Sequence, residues 1–503
     1  QDANSMNVLP VFKNLSASLH TNGQSMLINR NPAVLYDLEG VLRLQLTNIG
    51  CYQDFYNGYN NASPIAILSP VEGVGSGTTS NLSITLKNFG QNRLDSVRIY
   101  WKINGGALNV YHWTGSLVSN ASSTVTLGTM IPVGGFNDFL IYTTHPNGQS
   151  DDDVNNDTLR ASIYSCDSAL KGTYFIGSGG HFLTANDAMK AITLCGLSGP
   201  VVFKFKTGSY GNLYIPNAIS GASAVNTITF ISEANNADSV IIGSTNQVPL
   251  YIKNASYLIF KHLTFNGSAG ASSAILMENA ISYIDVKYCN IKSDPSITTS
   301  TYAAVYYKNM SNSGYRIYDV KFIGNKIDGG YYNMYLYFTG SSTSLMGKVT
   351  IDSNTFTNAY YYGIYSYYYG YFPSISYNTF TSRASDASNY WYGMYMYVYN
   401  SSDSIKGNKF ISTNSNIYYP CGMYLGYYLN YNNYGTPNDM IIANNEIILN
   451  ISSGNYGMYI YYPYSSKVKI LHNSIYLYGS GSAYGLYLFN SNSTYKITVQ
   501  RNN

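Results

Sequence analysis

Charge is what this sequence has least of. Only 11% of its 503 residues are charged, against about 25% in ordinary globular proteins, and the formal net charge is +3. An excess that small and that scattered gives no electrostatic footprint for nucleic acid or an acidic membrane surface. No apolar run reaches the roughly 18 residues that a spanning helix needs, so no transmembrane segment is expected. Five cysteines are too few for a disulfide scaffold. A 3.6-residue apolar period and a Leu-rich signature are both absent, which excludes helical and leucine-rich repeats. No cofactor is called for.

What is present in quantity is tyrosine, 55 residues, and a short phrase that returns through the second half. The phrase is an apolar residue, two spacers, Asn, one spacer, then Ile or Phe. It reads Phe322 to Asn325 to Ile327, and recurs around Asn354, Asn378, Asn408, Asn445 and Asn473, with Val499 to Asn502 opening another copy. Successive Asn positions lie roughly 24 to 37 residues apart, the length of one solenoid coil. Apolar positions two apart are strand periodicity, and Asn tolerates the left-handed backbone of a corner while its amide can bond to the next coil. Asn325, Asn354, Asn378, Asn408, Asn445 and Asn473 are therefore expected to form one ladder at a corner of a parallel β-helix. Leu263 and Cys289 hold the place in two earlier copies.

A second column lies between the Asn corners, in segments such as Met334-Tyr335-Leu336-Tyr337 and Met394-Tyr395-Met396-Tyr397. Alternation sends the aliphatic residues inward and the tyrosines outward. One outward file should hold Tyr335, Tyr365, Tyr395, Tyr424, Tyr459 and Tyr487, and a second Tyr337, Tyr367, Tyr397, Tyr461 and Phe489, interrupted at Gly426. Stacked tyrosines stabilise a solenoid by themselves, about 0.2–1 kcal/mol per pair. Contiguous exposed aromatic surface also marks contact sites, and Tyr presents both a ring and a hydroxyl to a sugar or a protein.

Residues 62–166 read differently. Short alternating segments such as Leu82-Ile84-Leu86 and Val97-Ile99-Trp101-Ile103, separated by turn signals, give about seven strands, the pattern of an immunoglobulin-like β-sandwich with Trp101 as a core anchor. Residues 1–61 read as the end of an unidentified β-rich module. After the sandwich, Thr184-Ala185-Asn186-Asp187 precedes Ala188, Met189, Ala191, Ile192 and Leu194, a capped amphipathic helix suited to plugging the open end of a β-helix. Cys166 and Cys195 flank that start. A bridge between them would close a loop of roughly 30 residues and contribute about 3 kcal/mol; the alternative is two unpaired small apolar side chains. The chain begins at Gln1 without Met or a leader, which suits a mature or excised segment, and it ends in mid-repeat, so a continuing polypeptide is expected.

The residues also carry a resemblance. Leu86-Lys-Asn-Phe-Gly90, Val97 to Asn104, Asn147-Gly148 and Asn156-Asp157-Thr158 resemble CARDB-type adhesion modules of large secreted proteins of Bacteroidota. Gly172 to Gly177, Phe182 to Ala188, Cys195 to Phe203 and Ile219 to Ala222 are similar to the opening of right-handed parallel β-helix proteins of that group. The resemblance implies an all-β chain with a right-handed β-helix over residues 167–503, truncated at its C-terminal end. It further implies export to the cell surface, by a type IX route, within a large modular parent. O-glycans on Asp-Ser/Thr-apolar sites would follow, here at Ser96, Thr158, Ser168, Ser239 and Ser404.

Catalysis on such a fold needs clustered carboxylates on the exposed face. The acids of the solenoid, among them Asp285, Asp319, Asp328, Asp352, Asp403 and Glu446, are scattered, and only Arg316, Arg383 and Arg501 follow the helix. Asp151, Asp153, Asn155 and Asp157 alternate as hard oxygen donors in one loop, a weak Ca²⁺ candidate that lacks the turning Gly and distal Glu of an EF-hand; a solvated Asx-rich hairpin is the simpler reading. The expectation is a non-enzymatic extracellular adhesion or structural segment that meets a surface glycan, a protein partner or another copy of itself through the tyrosine face. The alternative is a fragment of a β-helix polysaccharide lyase or glycoside hydrolase.

Overall fold

Alternating apolar and polar residues dictate strands along most of this chain, and the strands sort into two units, residues 1–167 and 168–503, in a computed structural model. The structure describes residues 59–308, 317–338, 347–385, 388–397, 400–426, 439–461, 467–489 and 496–503. In the first 58 residues it describes four short strands, in which Phe12–Asn14 pairs antiparallel with Ser18–Thr21 and Leu27–Asn29 with Leu46–Asn48.

The first unit holds a two-sheet sandwich. Ala62–Ser69, Ser80–Asn88 and Ser122–Met130 form one antiparallel sheet. Thr158–Ser165, Gly135–Thr144, Leu94–Ile103 and Asn109–Leu117 form the other, in that order. Inward residues of both sheets, including Leu82, Ile84, Leu86, Val97, Ile99, Phe139 and Ile141, make a single core. Trp101 packs against this core but is itself only half-buried, so the small aliphatics carry the centre.

The second unit is a parallel β-solenoid of three sheets, with fourteen, ten and ten strands among the described residues. The first sheet begins at Leu170–Ile176, the second at Gly208–Tyr210 and the third at Leu213–Ile215. In-register pairing stacks like on like inside. Phe203, Phe230 and Phe260 stack at 5.3 Å in the first sheet, and Phe356, Phe380 and Phe410 at 4.5 and 4.7 Å in the second. Each such ring, fully buried, contributes about 1.5–3 kcal/mol of transfer free energy.

The helix Ala185–Cys195 has a complete capping box. The Asp187 N–H donates to Thr184 Oγ1 at 3.2 Å and the Thr184 N–H donates to Asp187 Oδ2 at 2.9 Å. It buries Ala185, Ala188, Met189, Ala191 and Ile192 against strands Leu170–Ile176 and Leu213–Ile215, while Leu194 remains exposed on the far side. Cys166 and Cys195 are each disulfide-bonded. Cys289 and Cys421 are free and buried. Cys51 lies outside the described residues.

The asparagines form a hydrogen-bonded column. Asn325, Asn354, Asn378, Asn408 and Asn445 each donate from the backbone N–H and from Nδ2 to Oδ1 of the next Asn, at 2.8–3.0 Å. Asn473 does the same to Asn502. The second Nδ2 hydrogen of each goes back to a main-chain carbonyl of the preceding coil, for example Ile375 O from Asn408 at 2.8 Å. The Asn itself does not take the left-handed backbone expected of it. The left-handed residue of each corner is not the Asn but the one before it: Gly324, Ser353, Tyr377, Gly407, Asn444 and His472 all have φ between 54° and 68°. The Asn is selected for its amide alone, and its bonds hold a neighbour in a conformation that costs a non-glycine residue about 1–2 kcal/mol.

Candidate functional site

The third sheet carries the tyrosines. Met334, Leu336, Ile364, Met394, Met396, Met423, Leu425, Met458 and Ile460 are fully buried, and the residues between them face outward. Ser366 also faces inward, where its hydroxyl donates to Asn400 Oδ1 at 2.8 Å. Backbone register aligns Tyr306, Tyr335, Tyr365, Tyr395, Tyr424, Tyr459 and Tyr487 in one file. Tyr337 pairs in register with Tyr367, and Tyr367 stacks on Tyr397; Tyr461 pairs with Phe489. Further tyrosines that the sequence reading passed over widen the surface: Tyr332, Tyr362 and Tyr392 form a third file, and Tyr331, Tyr361, Tyr390 and Tyr419 a fourth.

Ring geometry decides what this platform can offer. Along the first file, Tyr365, Tyr395, Tyr424, Tyr459 and Tyr487 stack face to face at 4.4–5.4 Å with planes within 8°. Between the first and third files the contacts are mostly edge to face, as for Tyr362 and Tyr365 or Tyr392 and Tyr395, whereas between the first and second the rings lie near parallel, as for Tyr365 and Tyr367 or Tyr459 and Tyr461. The faces are thus covered by neighbouring tyrosines, and the rings are half-buried. What reaches solvent is ring edges and hydroxyls. The in-register spacing is short enough that the rings stack on one another first. Burial disfavours the phenolate, pushing Tyr335 and Tyr361 up to about 12 and Tyr362, Tyr365, Tyr392 and Tyr395 higher still. The platform is neutral at physiological pH.

A glycine column makes the platform possible. Gly363, Gly393, Gly422, Gly457 and Gly485 each precede the inward Ile, Met or Leu of a strand. A Cβ on Gly393 would lie 2.4 Å from the Phe410 ring and 2.9 Å from Gly422 O; on Gly457 it would lie 2.5 Å from Ile475 and 2.7 Å from Gly485 O. The repeated Gly-aliphatic-Tyr triplet is the sequence signal that could have revealed it.

Upstream the second file turns charged. Lys253, Glu278 and Lys308 are register neighbours, followed by Tyr337. Glu278 accepts from Lys308 Nζ at 2.9 Å and from the Tyr251 hydroxyl. Burial raises the carboxyl pKa, but the bonds from Tyr251 and Lys308 outweigh it and hold the group below its usual range. Sequence reading missed this cluster because its members sit on separate coils, 27 and 30 residues apart.

The other acids have structural partners. Asp285 pairs with Lys287 at 2.7 Å, Asp319 with Lys321 and Lys348, and Glu446 with Lys409 at 2.9 Å. Asp328 accepts from Thr357 and Asn358, Asp352 from Ser374 and Ser376, and Asp403 from Tyr371. Arg383 is buried, donates to the carbonyls of Asn358, Ile297 and Gly330, and lies over the Tyr360 ring, so it is no clamp for a substrate carboxylate. Arg316 lies outside the described residues.

In the acidic loop the oxygens serve the hairpin. Asp151 accepts from the N–H groups of Ala62 and Asp153, Asp152 from those of Tyr59 and Asn60, and Asp153 from Asn155. Asp157 is buried beside Asp151, and desolvation with that neighbour pushes its carboxyl up to about 7. Among the described residues no group of three or more His, Cys, Asp or Glu is placed to hold a metal ion. Of the O-glycan candidates, Thr158 and Ser168 are exposed, Ser96 and Ser404 half-buried, and Ser239 is held by Ser232 and Asn236. No helix among the described residues is long and apolar enough to cross a membrane.

Residues 303–503 match the family model of a right handed beta helix region. The sandwich is similar to a CARDB domain of Pyrococcus furiosus solved in complex with di-metal ions, at 18% identity over 22% of this chain and 94% of that one, TM-score 0.19. A solution structure of the same domain gives 20% identity over 22% and 96%, TM-score 0.18. The Agl-KA catalytic domain is similar at 10% identity over 88% of this chain and 97% of that one, TM-score 0.25. No curated protein matches.

Proposed function

We propose that this chain is a non-enzymatic adhesion or structural segment of an extracellular, cell-surface protein, with the tyrosine platform of the third sheet as its contact face. The observation that carries this reading is the platform itself. Seven coils align tyrosines in one file, flanked by further files, on a sheet whose charges are confined to one end. Aromatic surface of that extent is a mark of contact, and ring edges with hydroxyls suit a partner that brings its own hydrogen-bonding groups, a glycan or a neighbouring subunit. Surface location rests on the family resemblance. The test replaces Tyr365, Tyr395 and Tyr459 together by Ser. The buried Met, Ile and Leu core should keep its fold while binding to surfaces or partners is lost. Undiminished binding with only a lowered melting temperature would reduce the files to structural stacking.

A second reading, a glycan-active enzyme, draws on the cluster of Tyr251, Glu278 and Lys308, where phenol, carboxylate and ammonium meet on the outward side of the sheet. Release of unsaturated or reducing ends from a polysaccharide panel, abolished by Glu278→Gln, would establish it in place of the first.

A further inference from the structure

We propose that the outward face of the four-stranded sheet of the sandwich binds an extended acidic glycan, a chain carrying carboxylate or sulfate groups at intervals. This site lies in the first unit and is independent of the tyrosine platform. Residues 62–166 contain five Lys and Arg: Lys87, Arg93, Arg98, Lys102 and Arg160. Three of them share this one face. Register places Arg98 beside His112 on one neighbouring strand and Thr144 on the other, Lys102 beside Leu140, and Leu140 beside Arg160. Among the described residues Arg98, Lys102 and Arg160 have no ion-pair partner, whereas Arg93 is held by Asp95 at 2.7 Å. The acids of the module are mostly elsewhere: Asp95 on Arg93, Glu72 accepting from the Tyr164 N–H, and Asp151, Asp152, Asp153 and Asp157 in their hairpin. Asp138 is the one carboxylate on the same face, opposite Ser162.

Spacing selects the ligand. Arg98 and Lys102 are four residues apart on one strand, about 13 Å, and Arg160 lies two strands from Lys102, about 10 Å. Cations that far apart cannot close on one small anion, but they match charges repeated along a chain. Between them Tyr100 and Tyr142 stack at 5.1 Å with planes 12° apart, an uncharged bridge for the intervening sugar. Beside Arg98 the face deepens into a hollow of about 270 Å³ lined by Arg98, His112, Trp113, Thr114 and His145. His145 is held in a left-handed conformation at φ 54°. The hollow gives one sugar unit the Arg98 guanidinium beside the ring nitrogens of His112 and His145.

The 503-residue chain, made without glycosylation, is run through native gels containing polygalacturonate, chondroitin sulfate or dextran, and the affinities are then measured by titration calorimetry. Retardation by the two acidic polymers and not by dextran is expected, weakened at least tenfold in Arg98→Ser/Lys102→Ser/Arg160→Ser and restored in part by Arg98→Lys/Arg160→Lys. The tyrosine triple variant should bind these polymers as the parent does, which separates this site from the platform. Thermal melting checks that each variant is folded. The proposal is overturned by absence of retardation in both acidic gels, by equal retardation in dextran, by a folded triple cation variant that still binds, or by tighter binding to duplex DNA or phosphatidylserine vesicles than to either acidic glycan.

Discussion

Replacing Asn408 by Leu tests the column from which the solenoid corner is built. All four side-chain hydrogen-bonding positions of Asn408 are used, and the residue is 1% exposed. Nδ2 donates to Ile375 O at 2.8 Å and Asn445 Oδ1 at 3.0 Å, while Oδ1 accepts from the Asn378 N–H at 3.0 Å and Nδ2 at 2.9 Å. Leu would strand two buried donors, the Asn378 N–H and one Asn378 Nδ2 hydrogen, while the Ile375 carbonyl keeps the ladder bond from the Lys406 N–H that the strand register gives it. Asn445 Oδ1 keeps the Asn408 backbone N–H. At about 1–3 kcal/mol per stranded group, less the roughly 1.5–3 kcal/mol gained by burying Leu, the net loss is about 0.5–3 kcal/mol. Asn502→Leu is the internal control. It is partly exposed, water can replace its bonds, and it should cost less than about 1 kcal/mol. Urea unfolding would give both values, and amide exchange at Asn378 should accelerate only in the Asn408 variant. Equal costs for the two substitutions would refute the idea that the column acts through buried amides.

Gly393→Ala places a methyl against Phe410 and the Gly422 carbonyl and should cost about 1–3 kcal/mol, whereas Gly211→Ala, with open space around it, should be neutral; equal melting temperatures would show that the glycine column is not sterically required. Phenols held at about 12 in the fold ionise near 10 when unfolded, so the folded state keeps its proton more tightly. That stability is intact below about pH 10 and is lost as pH rises through 12; a phenolate titration centred near 10 with the solenoid still folded would contradict it. Asp157, raised to about 7, likewise favours the protonated form, so its contribution to the sandwich is fully present below about pH 4 and falls by on the order of 2–4 kcal/mol as pH rises to 7. Asp157→Asn should flatten that slope, and a melting temperature unchanged between pH 4 and 7 in the parent would exclude it.

The architecture was legible because a repeat writes each structural demand many times. Asn325, Asn354, Asn378, Asn408, Asn445 and Asn473 announce a column before any coordinate is known, and the Met-Tyr-Met-Tyr segments state which side is inside. Three things were not legible. Which residue of the corner turns left-handed depends on backbone closure, and Ser353 and Tyr377 carry no propensity for it. The stacking of the rings depends on the spacing between coils, which a single strand does not contain. The Tyr251, Glu278 and Lys308 cluster and the cationic sheet face are assembled across strands, so their members are remote in sequence and each looks unremarkable where it stands.

The scarcity of charge and the abundance of tyrosine have a common physical origin in register. A parallel solenoid sets equivalent residues about 4.8 Å apart, so a charge repeated in every coil would meet its own sign at each step, near 1 kcal/mol per pair even in water. Where charges do occupy a column, they mostly alternate: Lys253, Glu278 and Lys308 follow one another, Asp285 is followed by Lys321, and Lys409 by Glu446. Lys261 followed by Lys287 is an exception, relieved by the turn of Lys287 onto Asp285 at 2.7 Å. Tyrosine escapes this constraint. It is neutral, its stacked faces attract instead of repelling, and its hydroxyl still meets water, so it can be repeated coil after coil on an exposed sheet. The same residue choice that lets the third sheet exist without charge leaves it with a surface of ring edges and hydroxyls, and any partner of that sheet has to be recognised through those groups.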